Sequence, residues 1–278
     1  MTIMTAGRLR TSALLSFVGL LGLYWYGTPL PERSAVVPDV LRGAPLQVEA
    51  TSTTPFDVTM GDLRYTFTPH ASYTLPGLVV SLHHSDSWID ISHKGDPAQT
   101  VDICVVWGPN ISTNGYRMVT YDHGDWTCYY RWTTEYDPPF SGNFLSNNHL
   151  IPTTPKLASL IKSIHVGDQI LLSGTLVDYA IASKNSSGGS RNTSLVRTDG
   201  GNGACEILYL TDARILRRHM PWRDPLWNLL LMIMIGGSIG SFYLSMPKFH
   251  KSPIRDFPHT ENPFDVKSFI DKNIDAKE

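Results

Sequence analysis

The sequence predicts a mainly β domain flanked by two membrane helices. Three observations carry that reading. Apolar runs lie near the two ends, about Ala13–Gly27 and Leu226–Met246, and the stretch between them is polar and mixed in pattern. Five runs within that stretch have the composition and length of strands. One stretch only, after Thr154, has strong helical spacing with a proper start signal. The expected order is a cytoplasmic tail (1–12), a first membrane helix (13–27) and a linker with room for extra strands (28–72). A β domain (73–218), a second membrane helix (225–246) and a second cytoplasmic tail (247–278) follow.

The first apolar run follows Arg8 and Arg10 and ends in Tyr24-Trp25-Tyr26. It is short against the roughly 20 residues that a hydrocarbon core demands. Basic residues before a short apolar run also suit a signal peptide. No small-x-small cleavage site follows directly, and an aromatic end suits the membrane interface, so an uncleaved anchor is expected. The second run carries no charge, has Trp222 and Trp227 at one end and Tyr243 near the other, and contains Gly236-x-x-x-Gly240, a small-residue spacing that lets helices approach closely. Gly19 and Gly22 offer a similar face on the first run.

Cations flank both runs on their outer sides (Arg8 and Arg10; Lys248, Lys251 and Arg255), which places both tails in the cytoplasm. Arg214, Arg217, Arg218 and Arg223 lie on the domain side and argue the other way. Because long translocated domains are largely exempt from the charge rule, the domain is expected outside, with those arginines at lipid phosphates.

Between the runs, Gln47–Phe67 has room for one or two strands about a Gly61-Asp62 turn. Leu75–Leu82 opens with Pro-Gly, Val101–Trp107 ends at Gly108-Pro109, and Trp126–Trp132 alternates aromatic residues. Thr154-Pro155 reads as an N-cap and first helical residue, followed by Leu157, Leu160, Ile161 and Ile164 on one face and a Gly167-Asp168 exit. Gln169–Tyr179 contains Gly174 where a bend or bulge is expected, and Cys205–Leu216 closes the set.

Three strands, a helix and two strands is the order of a five-stranded OB-type barrel. Ile164–Leu176 resembles the fourth-strand pattern of such barrels and Gly77–Ser81 the first-strand pattern. The resemblance covers about Tyr73–Leu216 and is one of pattern. It implies a ligand-binding face for oligonucleotides or oligosaccharides, among other roles, and does not fix a function.

A net charge of −2 gives no basic field for nucleic acid, and an external domain would not meet it. Cys104, Cys128 and Cys205 form no CxxC pair. They read either as buried thiols or as one disulfide with a thiol left over, the latter requiring an oxidising compartment. Asn110, Asn185 and Asn192 head glycosylation sequons, taken as chance matches in a bacterial envelope protein.

Three constellations have chemical potential. His83, His84, Asp86, Asp90 and His93 are metal-ligand types, but their spacing matches no ligand set and HExxH is absent, so the segment reads as a solvated loop and no metal is expected. Arg191, Arg197, Asp199 and Glu206 sit in a Gly-rich connection able to hold an anion, without the Gly-Lys-Ser/Thr of a P-loop. Ser146 and His149 are near neighbours, but Asn147-Asn148 between them reads equally well as a turn. Tyr129, Tyr130 and Trp132 form a stacking surface. No cofactor and no complete catalytic signature is indicated. The expected function is binding or scaffolding in the envelope, through Arg191, Arg197, Asp199, Glu206, Tyr130 and Trp132, with the bilayer and an envelope protein as partners. The alternative is a membrane-anchored hydrolase using the His83–His93 loop and His149, which requires those histidines to converge.

Overall fold

The computed structural model describes residues 5–87, 89–132, 139–183, 186–196, 198–199 and 204–246. The chain forms two compact units, residues 19–229 and residues 1–18 with 230–278. In chain order the elements are α1 (Ala6–Tyr26), α2 (Pro38–Arg42), β1 (Leu46–Glu49), β2 (Phe56–Met60), β3 (Leu63–His83), β4 (Val101–Val106) and α3 (Pro109–Ser112). Then come β5 (Thr120–His123), β6 (Cys128–Arg131), β7 (Leu145–Pro152), α4 (Pro155–Lys162), β8 (Gln169–Ser183), β9 (Ser186–Arg191), β10 (Glu206–Arg217) and α5 (Arg223–Ser245).

The larger unit is mainly β. An eight-stranded mixed sheet curls so that β3, β4, β7, β10 and β8 pair in turn and β8 pairs back onto β3. All ring pairs are antiparallel except β7 with β10. The Gly61-Asp62 turn joins β2 to β3 as expected, and β3 runs 21 residues, starting well before the Leu75–Leu82 stretch. Its first half, Leu63–Thr74, alternates polar residues outward, which hides it from a search for apolar runs. β1 and β2 in the 28–72 stretch are hydrogen-bonded to it.

The inside of the ring is filled by Leu75, Val79, Val101, Ile103, Val105, Leu150, Ile170, Leu172, Leu176, Leu208 and Leu210. α4 packs its apolar face on this core. Thr154 Oγ1 accepts from Leu157 N at 3.2 Å, Pro155 occupies the first turn, and Ile161 and Ile164 are buried, each worth roughly 2 kcal/mol in removed apolar surface. Gly167 takes φ +89°, leading into buried Asp168. Opposite Gly174, β10 carries a bulge between Leu210 and Asp212, and a Cβ on Gly174 would lie 2.3 Å from Tyr209 O.

One strand assignment is corrected. Trp126–Trp132 is not the third strand of the ring; among the described residues β6 pairs only with β5, in a separate two-stranded hairpin. The third position belongs to β7, whose Ser146-Asn147-Asn148-His149 run is polar yet buried, so its composition reads as a turn. Cys104 of β4 is joined to Cys128 of β6 by a disulfide, and Cys205 is free. Asn110 is buried and donates to Ser141 O and Phe144 O at 2.8 and 3.2 Å, a position closed to a glycan.

The second correction concerns the membrane segments. Among the described residues one helix, α5, is long and apolar enough to cross a membrane, not two. α1 is 21 residues long, but it includes Arg8 and Arg10, and its apolar run is shorter than a bilayer needs. Within the smaller unit the small-residue face is used at Gly237 and Gly240, where a Cβ on Gly240 would lie 3.0 Å from Leu9 Cδ1, but not at Gly236. Gly236 faces open space, whereas a Cβ on Gly237 would lie 2.9 Å from Leu9 O and 3.3 Å from Ala13 Cβ. Arg10 Nε and Nη2 donate to Ser241 Oγ and Ser245 Oγ at 2.8 and 2.9 Å. Asn185, Arg197 and the 247–278 tail lie outside the described residues.

Candidate functional site

The site starts from an anomaly in β4. This strand is buried at every position, and one of its residues is Asp102, with 0% exposure. A buried carboxylate is costly unless its charge is met. Strand register supplies the partners: Asp102 lies opposite His149 on β7 and opposite His83 on β3, and Cys104 opposite Asn147. Period-two alternation then places Asp102, Asn147 and His149 on one face.

His149 Nδ1 lies 3.1 Å from Asp102 Oδ2, a close ion pair not aligned as a hydrogen bond. Asn147 Nδ2 donates to the same oxygen at 3.2 Å. Burial opposes charge on the His149 ring, but the Asp102 carboxylate outweighs it, and with Cys205 it leaves the imidazole pushed up to about 9. Burial likewise opposes charge on Asp102, yet His149 holds its carboxyl below the ordinary range. The two directions agree: the pair is charged at neutral pH.

Asn147 extends the network. Its Nδ2 reaches Cys205 Sγ at 3.4 Å, and its Oδ1 meets His123 Nε2 at 3.1 Å, while His123 Nδ1 faces Gly124 O at 2.8 Å. The outer nitrogen of His149 lies 3.4 Å from Arg191 Nη2, and that guanidinium sits 4.3 Å from the centre of the Trp126 ring. Two cations therefore abut. Arg191 Nη1 is buried without a hydrogen-bond partner among the described residues. A cavity of about 680 Å³ opens here, walled by Trp126, Tyr130, Asn147, Arg191, Asp199, Cys205 and Glu206 among others. Ser194 Oγ donates to Asp199 Oδ2 at 2.5 Å.

The His83–His93 segment is only partly solvated: Asp90 and His93 are buried, whereas Asp86, Ile89 and Ile91 are exposed. Asp90 Oδ2 lies 2.6 Å from His83 Nε2 and 2.7 Å from His93 Nδ1, and Oδ1 accepts from His93 N at 3.0 Å. These contacts overcome burial and bring the Asp90 carboxyl down to about 2, while burial pushes His93 down. The His93 ring packs 3.7 Å from Trp126. Asp86 pairs instead with Lys162, and burial lowers His84, which is not one of the three clustered donors. Asp96 fixes the end of this segment, accepting from the Tyr65 and Tyr179 hydroxyls and from Gln99 Nε2.

Of the residues expected to bind a ligand, Arg191, Asp199, Glu206 and Tyr130 share one cavity wall. Trp132 stacks on Tyr130 at 5.5 Å and does not line the cavity. Arg197 lies outside the described residues. Ser146 does not meet His149; its hydroxyl accepts from Asn148 Nδ2 at 2.9 Å. Sequence reasoning missed Asp102, Asn147, Trp126 and Cys205 as site residues. The available signal was a lone acid inside an apolar strand. In comparisons with known protein families, curated proteins and solved structures, nothing matched the chain.

Proposed function

We propose that the chain is a membrane-anchored protein of a bacterial envelope whose β domain lies outside the inner membrane and binds a small ligand carrying an anionic group. The observation that carries this reading is Arg191 at the wall of a cavity of about 680 Å³, with one guanidinium nitrogen buried without a hydrogen-bond partner among the described residues and the buried His149 imidazole behind it. That volume is within the range of small-molecule sites. A guanidinium at a cavity wall favours a carboxylate or phosphate, and Glu206, Asp199 and Tyr130 offer hydrogen-bonding groups for the rest of the ligand. The disulfide supports an oxidising compartment, and α5 supplies the anchor. An envelope protein partner is part of the same proposal.

The ring is read as OB-type. Its order β3-β4-β7-β10-β8, the parallel β7–β10 pair and α4 between the third and fourth strands support this. Such barrels bind ligands on the face of strands two and three, between the connection after strand one and the connection before strand five. Here those elements are β4, β7 and the β3–β4 and β8–β10 connections, whose described residues include Asp90, His93 and Arg191 of the polar cluster.

The test is a thermal-shift screen of the full chain in detergent with carboxylates, sugar acids and phosphate esters. At least one compound should raise the melting temperature of the wild type and leave Arg191→Ala unmoved. No response in the wild type, or the same response in Arg191→Ala, refutes the reading.

A membrane-anchored hydrolase is the second reading, favoured by one observation: two of the histidines lie opposite the same buried carboxylate. His83 and His149 flank Asp102 on neighbouring strands, about 10 Å apart by strand spacing, with Cys205 beside Asn147. Ester and thioester turnover that vanishes in His149→Gln would support that reading; a wild-type chain inert to both substrate classes refutes it.

A further inference from the structure

We infer that His83 Nε2, His93 Nδ1 and Asp90 Oδ2 form a binding site for a divalent transition-metal ion of the zinc class, separate from the ligand cavity. The three donor atoms all lie within 4.8 Å of one another. Two imidazole nitrogens and one carboxylate oxygen are a donor set that suits zinc and its neighbours, and poorly suits calcium or magnesium.

The geometry is close to what an ion requires. Ligand bonds of about 2.0–2.1 Å put tetrahedral donors roughly 3.3 Å apart. The ring nitrogens now lie 2.6 and 2.7 Å from Oδ2, so a shift of well under ~1 Å opens the space. The protons shared between the rings and the carboxylate would leave to solvent as the ion enters. The side chains of Asp90 and His93 are 2% and 0% exposed and that of His83 is 25% exposed, so the site is buried on one side and accessible on the other.

The donors are also held in place. Asp90 Oδ1 is engaged by His93 N, which turns Oδ2 toward the rings. His93 is clamped by Trp126, and Asp96 N donates to His93 O at 2.8 Å, tying the segment to the Tyr65–Tyr179–Gln99 anchor. His83 and Asp90 line a second cavity of about 550 Å³, which also touches Asp125. Three protein ligands, two of them at the wall of a cavity and His93 buried behind them, leave a fourth position for water or a bound molecule, the arrangement of reactive rather than purely structural zinc sites.

The experiment uses the full chain in detergent, purified through a tag without histidine and stripped with chelator. Zn(II) is titrated calorimetrically, and Co(II) by its visible ligand-field bands. One ion per chain is expected, with Co(II) bands of a four- or five-coordinate nitrogen–oxygen site. His83→Gln and the isosteric Asp90→Asn should each weaken binding by about 100-fold or more, and His84→Gln should not. Asp90→Asn keeps the test valid if His83→Gln does not fold. No saturable binding by the wild type, or equal affinity in a folded His83→Gln or Asp90→Asn chain, overturns the proposal and leaves Asp90 as a hydrogen-bond acceptor between two rings.

Discussion

Replacing Asp102 with asparagine would change how stability depends on pH, and the size of the change follows from the His149 pair. In the folded chain His149 is pushed from an ordinary 6.5 up to about 9. A raised folded pKa stabilises fully below the unfolded pKa, and the contribution is lost as pH rises through the folded one. The window is therefore pH 6.5 to about 9, where the folded chain holds a proton that the unfolded chain has released. At about 1.4 kcal/mol per pH unit, the wild type should lose about 3 kcal/mol across that window. For a unit of this size that is roughly 6–12 °C in melting temperature. A neutral amide in place of the carboxylate cannot hold the imidazolium, so the variant's His149 is buried neutral and the alkaline slope disappears. The variant should also be less stable at neutral pH by about 3–5 kcal/mol, the usual result of removing one partner of a buried pair. The assay is urea denaturation of the full chain in detergent from about pH 6 to 10, bracketing that window, for wild type and Asp102→Asn. A flat wild-type profile over that window, or the same slope in the variant, refutes the assignment of charge to this pair.

Two further outcomes are expected. Denatured without reductant, the chain should show one reactive thiol, Cys205, and the Cys104→Ala/Cys128→Ala variant should lose about 3.5 kcal/mol, the chain-entropy value for cysteines 24 residues apart; three reactive thiols would contradict this. Gly237→Leu should abolish bis-maleimide cross-linking between Arg10→Cys and Ser241→Cys in a Cys205→Ser background, because its Cβ meets the Leu9 carbonyl, while Gly236→Leu should leave the yield unchanged.

Local signals in the sequence had physical causes that survive folding. The Thr154 cap, Pro155 and the Leu157–Ile164 spacing define α4 because they act within one or two turns. Gly61-Asp62 and Gly167-Asp168 mark turns for the same reason, and the apolar runs of β4, β8 and β10 are strands, β4 with both faces buried. β7 was hidden because its stability comes from polar side chains satisfied across strands. Asn147 bonds Asp102, Cys205 and His123, residues 24 or more positions away, and no window along the chain contains them together. The grouping of Arg191, Asp199 and Glu206 was legible because they share one connection. Their neighbours Trp126 and Asn147 come from other elements, and Asp102 could be flagged only as an acid out of place in an apolar strand.

Trp126 touches both halves of this region: its ring is in contact with the His93 imidazole and with the Arg191 guanidinium. Indole emission responds to the charge and polarity of what lies against the ring. An ion taken up at His83–Asp90–His93 alters one neighbour, and an anion drawn to Arg191 alters the other. The protein thus carries an optical probe at the wall between its two chemistries, and titrating one ligand while watching Trp126 measures whether the other is felt through a single side chain.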